Sequence, residues 1–165
     1  MRLPTWLPRW RDDLARCNDF LHRQCDAGSA PWLAIVRQPY PRHIRTVPTV
    51  LKHYLLHDLQ GDQCIWCGRT VATPHATIEH VIPFASALWP QMTPLEQLLS
   101  LRVSHDTCNH RYATLRRNLP RWALAQDLWR WRAIQQVLSH DPYWACWIPH
   151  DSIQKEGLSH VCALS

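Results

Sequence analysis

Apolar residues recur at three- and four-residue intervals in two stretches of the N-terminal half. In PRWRDDLARCNDFLHRQCDAG (8–28), Trp10, Leu14, Cys17, Leu21 and Cys25 share one face and Gly28 follows where a helix would stop. PTVLKHYLLHDLQG (48–61) repeats the arrangement and again ends in glycine. Between them, PWLAIVRQPYP (31–41) reads as a short strand or extended segment closed by prolines. The texture then changes. DQCIWCGRTV compresses two cysteines and a glycine into a tight turn between two short strands, and TIEHVIPFA reads as a strand that runs out at a proline. TPLEQLLS opens on Thr93, with Pro94 at the first helical position and Glu96 three residues on, the pattern of a capped short helix. LRVS is strand-like and HDTCNHRYATLRRN is helical. Pro120 opens a last long helix whose apolar stripe contains Leu124, Leu128, Trp131 and Leu138. Short strands among helices predict an α+β fold.

A chain of 165 residues can build one core with helical extensions, and two independent domains are not expected. Ten Trp and thirteen Pro against four Gly point to a stiff fold with large aromatic anchors. The net charge of +5 is carried by sixteen Arg against two Lys, and it is unevenly spread. Residues 1–52 and 100–132 are basic and 53–99 are acidic, an arrangement suited to a polyanion held on both sides of an acidic centre. Arginine's planar fork matches phosphate. MRLPTWLPRWRDD lacks the continuous apolar run of a secretory signal, and nowhere do about 18 apolar residues run together as a membrane span needs. The expectation is a cytoplasmic protein with no membrane association, in which cysteines serve as metal ligands or buried thiols.

Cys64-x-x-Cys67 is answered by His105-x-x-Cys108, two pairs of soft or borderline ligands whose two-residue gaps let a turn and a first helical turn each present two donors. Four protein ligands leave no open position, so the expected zinc is structural. Cys17 and Cys25, about 12 Å apart along a helix, are read as core thiols. Cys146, His150, His160 and Cys162 have irregular spacing and make a poor metal set; His22, His43, His53, His57 and His140 are read as surface or helix-face histidines.

With both pairs placed, the order C-x-x-C, IEHVIP, SLRVSHDTCNHR resembles the HNH nucleases, the ββα-metal family, in the form with a structural zinc knuckle. The resemblance covers residues 64 to about 112. It implies a small ββα-metal, zinc-stabilised nuclease core at 61–118, a helical N-terminal extension at 1–60, and a C-terminal helix and tail at 119–165 that pack on the core. It further implies that His80 is the general base of phosphodiester hydrolysis and that Glu79 and Asn109 hold a catalytic Mg²⁺ or Mn²⁺. The products would be a 5′-phosphate and a 3′-hydroxyl. A general base with an imidazole's ordinary pKa and a hard divalent ion suit that reaction. The implied substrate is DNA, with RNA left open. His105 stands where the family has a cysteine, and Ser100 stands where it has an asparagine that braces the histidine loop. Ser100 raises the alternative of a catalytically impaired, zinc-stabilised nucleic-acid-binding module. Arg102, Arg111, Arg116, Arg117 and Arg121, with Arg130 and Arg132 beyond, are expected as phosphate contacts. Trp129 and Trp131 are read as packing residues, and the flanking helices as the place for a protein partner.

Overall fold

The computed structural model describes residues 10–28 and 47–146. The segment 31–41, His43, His150, His160, Cys162 and the side chain of Cys146 lie outside the described residues. The architecture is α+β: helices surround one small antiparallel ribbon. Helix α1 (Trp10–Asp26) buries Trp10, Leu14, Cys17, Phe20, Leu21 and Cys25 along one side, carries Asp12 and Asp13 in its first turn and Arg23 in its last, and gives way to Gly28 at φ 69°. Helix α2 (Thr49–His53) continues without a break into a π-helical turn, Tyr54–Leu59, where Gln60 N–H bonds the carbonyl of Leu55. Widening the helix brings the adjacent pair Leu55 and Leu56 inward together, which a regular helix does less well. Tyr54 stacks on Phe20 at 4.0 Å and donates its hydroxyl to the Arg16 carbonyl, fixing α2 on α1.

Strand β1 (Ala76–His80) pairs antiparallel with β2 (Leu101–His105) in the register Ala76 to His105 through His80 to Leu101. The two short strands expected around Cys64 and Cys67 reduce to a single bridge, Gln63 to Thr70. The outer edge of β2 is met by Gln60, whose side-chain amide accepts from Val103 N–H at 2.7 Å and donates to the Val103 carbonyl at 2.9 Å. Between the strands, helix α3 (Pro94–Leu99) is closed by the expected capping box: Thr93 Oγ1 accepts from Glu96 N–H, and the Glu96 carboxylate accepts from Thr93 N–H. Its other carboxylate oxygen accepts from Trp131 Nε1 at 2.9 Å, which ties α3 to the last helix. Helix α4 (Asp106–Asn118) leaves β2 directly, and α5 (Pro120–Ser139) follows after one residue. One apolar cluster runs through α1, α2, both strands, α3 and α5. Among the described residues no helix is long and apolar enough to cross a membrane.

The face that α5 buries differs from the expected stripe. Ala123, Asp127, Arg130, Ala133 and Ile134 point inward, whereas Leu124 is 41% exposed. Two charged residues occupy the inner face: Asp127 is held by Arg116 and Ser86, and Arg130, 3.6 Å from it, donates to the Val81 carbonyl. His22 lies on a face of α1, partly buried, 2.8 Å from Asp141 and stacked on Tyr143. Ile134→Ala is therefore expected to cost about 2–5 kcal/mol and Leu124→Ala about 0.5 kcal/mol or less in chemical denaturation. Equal costs would mean that α5 is rotated from this description.

Candidate metal centre and adjoining groove

The knuckle at 63–70 is shaped by Gly68 at φ 69°, which lets its N–H reach the Cys64 carbonyl at 2.9 Å while Cys64 N–H bonds the Arg69 carbonyl. Ile65 N–H then bonds the Val103 carbonyl, so the knuckle lies against β2. At the other end of β2, His105 closes the strand and Cys108 stands in the first turn of α4. The outcome is the predicted convergence: one donor atom from each of Cys64, Cys67, His105 and Cys108 lies within 4.8 Å of all the others.

Geometry and protonation both fit a four-coordinate cation. Bonds of about 2.0–2.3 Å in a tetrahedron place nitrogen and sulfur donors about 3.6 Å apart. His105 Nδ1 lies 3.5 Å from Cys67 Sγ and 3.8 Å from Cys108 Sγ. His105 Nε2 is 3.0 Å from the Thr70 carbonyl, an acceptor only, so the proton belongs on Nε2 and the Nδ1 lone pair faces the sulfurs. Burial pushes the thiols up, yet at Cys67 hydrogen bonds from the Arg69 backbone and from Cys64, Cys108 and His105 outweigh it and bring the pKa down to about 7. Cys108, pushed up by burial and then by the neighbouring Cys64, rises to about 12. Three thiolates at this separation repel one another unless a cation joins them. The four residues could hold one metal ion.

The strand-end pair lies a short way along β1. Glu79 is 5% exposed and lines a groove of about 630 Å³ with Asn109, His110, Tyr112, Arg117 and Leu124. Burial raises its pKa to about 7 against the pull of the Trp66 indole and of Arg116 and Arg130, and its Oε2 has no hydrogen-bond partner among the described residues. His80, next in the strand, is not part of the groove wall. Its ring packs 4.3 Å from Phe84 and 5.3 Å from Trp89, consistent with alternate side chains leaving opposite faces of a strand. The groove thus unites Glu79 with Asn109 and leaves His80 beside them.

Ser100 is fully buried, and its hydroxyl donates to the Gln97 carbonyl at 2.7 Å inside its own helix end. Only its backbone carbonyl reaches the His80 loop, accepting from Val81 N–H at 3.2 Å. Of the expected phosphate contacts, Arg111, Arg117 and Arg121 are exposed, as is Arg132. Arg102 and Arg130 require correction, and Arg116, at the groove wall, is engaged by an internal partner. Arg102 is fully buried, because β2 is covered on both faces; its guanidinium lies 4.4 Å over the Trp10 ring and donates to the carbonyls of Leu99 and Leu101. Arg116 makes a bidentate pair with Asp127 at 2.8 and 2.6 Å, and Arg130 is fully buried beside the same carboxylate. Composition could flag these arginines but not the single aspartate that draws two of them inward.

Two measurements test the site. Replacing Cys108 by Ala is expected to reduce bound metal from one ion per chain to nearly none, and chelation of the wild type is expected to lower Tm, because such a cluster contributes folding free energy when filled. A Cys108→Ala chain that retains a full equivalent would exclude the site. For Glu79, the folded pKa of about 7 exceeds its ordinary 4.5, so its protonated form stabilises the fold below pH 4.5 and that contribution is lost as pH rises through 7. Glu79→Gln, measured with the cluster filled and no other divalent ion, should flatten this fall and raise stability at pH 8 by up to about 3 kcal/mol. An unchanged pH profile would refute it. No protein-family model, curated protein or solved structure matches the chain, and its functional reading therefore rests on the site itself.

Proposed function

We propose that the chain is a metal-dependent HNH-type endonuclease that hydrolyses DNA phosphodiester bonds and is held in shape by a structural zinc. The observation that carries the reading is the meeting, in one groove, of Glu79 from the end of β1 and Asn109 from the first turn of α4, beside a metal-binding cluster at the β2–α4 junction. A Cys₃His donor set suits zinc, and with four protein ligands it leaves no position for substrate. Chemistry therefore belongs to the strand end, with Glu79 and Asn109 in the groove and His80 on the adjoining face of β1. A buried carboxylate and a carboxamide oxygen are hard donors of the kind Mg²⁺ or Mn²⁺ accepts, and such an ion when bound supplies charge stabilisation to the phosphate oxygens. His80 takes the proton of the attacking water. As the water oxygen bonds to phosphorus the P–O3′ bond breaks, leaving a 5′-phosphate and a 3′-hydroxyl. Arg111, Arg117 and Arg121 supply exposed positive charge for the DNA backbone.

One observation favours a second reading, a zinc-stabilised nucleic-acid-binding module without activity. His80 is packed on Phe84 and Trp89, and the Ser100 hydroxyl is spent within its own helix, leaving no side chain at position 100 to hold the His80 loop. Plasmid nicking separates the two. The enzyme is expected to nick supercoiled DNA with Mg²⁺ or Mn²⁺, to lose at least about a hundredfold in rate on His80→Ala with its zinc retained, and to lose the nicking that the divalent ion supports on Glu79→Gln. Salt-sensitive DNA binding with no cleavage across metals and substrates would sink the nuclease reading and leave the binding module.

A further inference from the structure

The loop after His80 is anchored at two points to the same carboxylate. At its start, the Val81 carbonyl accepts from Arg130 Nη1 at 3.2 Å, and Arg130 lies 3.6 Å from Asp127. At its far end, Ser86 Oγ donates to Asp127 Oδ2 at 2.7 Å, with Ser86 itself buried. Between these two anchors stands Phe84, whose ring covers His80. Arg116 of α4 completes the set with its bidentate pair to Asp127. One fully buried carboxylate therefore joins the His80 loop, the helix that carries Asn109, and α5.

A stabilising role alone accounts poorly for this arrangement. Burying two guanidinium groups and a carboxylate costs desolvation that their attraction at best roughly repays, and well-packed apolar side chains would serve a core as well. What apolar side chains cannot do is fix the direction of a peptide carbonyl and a loop hydroxyl to fractions of an ångström. Position is what the site beside them requires. A misplacement of about 1 Å at a reacting group can cost about a hundredfold in rate.

We propose that Asp127 and Arg130 are positioning residues for His80, bracing its loop from α5 where the side chain at position 100 does not. The inference rests on the reading of His80 as the general base. It assigns α5, which lies outside the ββα core, a part in the chemistry through the loop: the core without α5 would hold its zinc yet leave the His80 loop unbraced.

The test uses the full chain with zinc bound and combines amide hydrogen exchange with cleavage kinetics. In Asp127→Asn, exchange at Val81 and Ser86 is expected to quicken by about tenfold or more while the α1 amides and the zinc content stay as in wild type. Cleavage kcat should fall about a hundredfold with KM for DNA within twofold, because positioning and not binding is lost. Arg130→Lys, which can still donate to the Val81 carbonyl, should recover more rate than Arg130→Met. Should Asp127→Asn not fold, Ser86→Ala removes only the distal anchor, and faster exchange confined to the 84–88 amides is expected. Wild-type protection of Val81 and Ser86 in Asp127→Asn, or of the 84–88 amides in Ser86→Ala, would overturn the brace. If the wild-type protein cleaves nothing, the nuclease reading falls, and with it the positioning of a general base. Exchange would then still report whether the loop is held from Asp127.

Discussion

Three sulfurs and one imidazole nitrogen brought within 4.8 Å of one another are a constraint on which the centre of this molecule depends. Alone, such a group is electrostatically awkward, with one thiol that ionises near neutrality and another held protonated. Joined by a cation, it fastens the 63–70 turn to the point where β2 becomes α4. That junction determines where Asn109 stands, one residue after Cys108, and the β1–β2 register sets where Glu79 stands relative to it. The groove inherits its shape from a cluster that is not part of its wall. A stretch with only two short strands and a knuckle gains from such a fastening in holding Glu79 and Asn109 in a fixed relation, since an isolated two-stranded ribbon is marginal in water.

Features governed by neighbours in sequence were legible before any coordinates. The stripe of α1, the glycine stops at 28 and 61, the Thr93–Glu96 capping box and both C/H-x-x-C pairs depend on spacings of four residues or fewer, and each is present. Features governed by a distant partner were not. Arg116, Arg130 and Arg102 look alike in sequence to Arg111, Arg117 and Arg121, yet the first three are drawn inward by a carboxylate, by backbone carbonyls and by the Trp10 ring. An arginine's long stem lets it serve either environment, so charge counting assigns it to the surface by default. The misjudged face of α5 has the same origin. Leu124 yields the inner face to Asp127 and Arg130, whose partners Arg116, Ser86 and the Val81 carbonyl lie far away in sequence.

The strand end shows how little separation a change of environment requires. Glu79 and His80 are adjacent, but one faces a groove as a desolvated acid and the other an aromatic pocket of Phe84 and Trp89. The alternation of a β-strand does this without any further device. The groove takes its wall from α4, α5 and Pro83, Ala85, Ser86 and Ala87 of the loop that also carries Phe84, so the two environments share that loop.

Gln60 has a consequence for how the protein behaves in company. A strand edge offers unpaired N–H and C=O groups that another chain can adopt, the usual route to edge-to-edge aggregation. At the middle of β2 both groups of Val103 are taken by one glutamine amide, with the Ile65 N–H sharing the carbonyl. A side chain thus imitates a neighbouring strand for the length of a single residue. The ribbon is closed to extension on that side, and the protein gains protection from self-templating without adding a third strand.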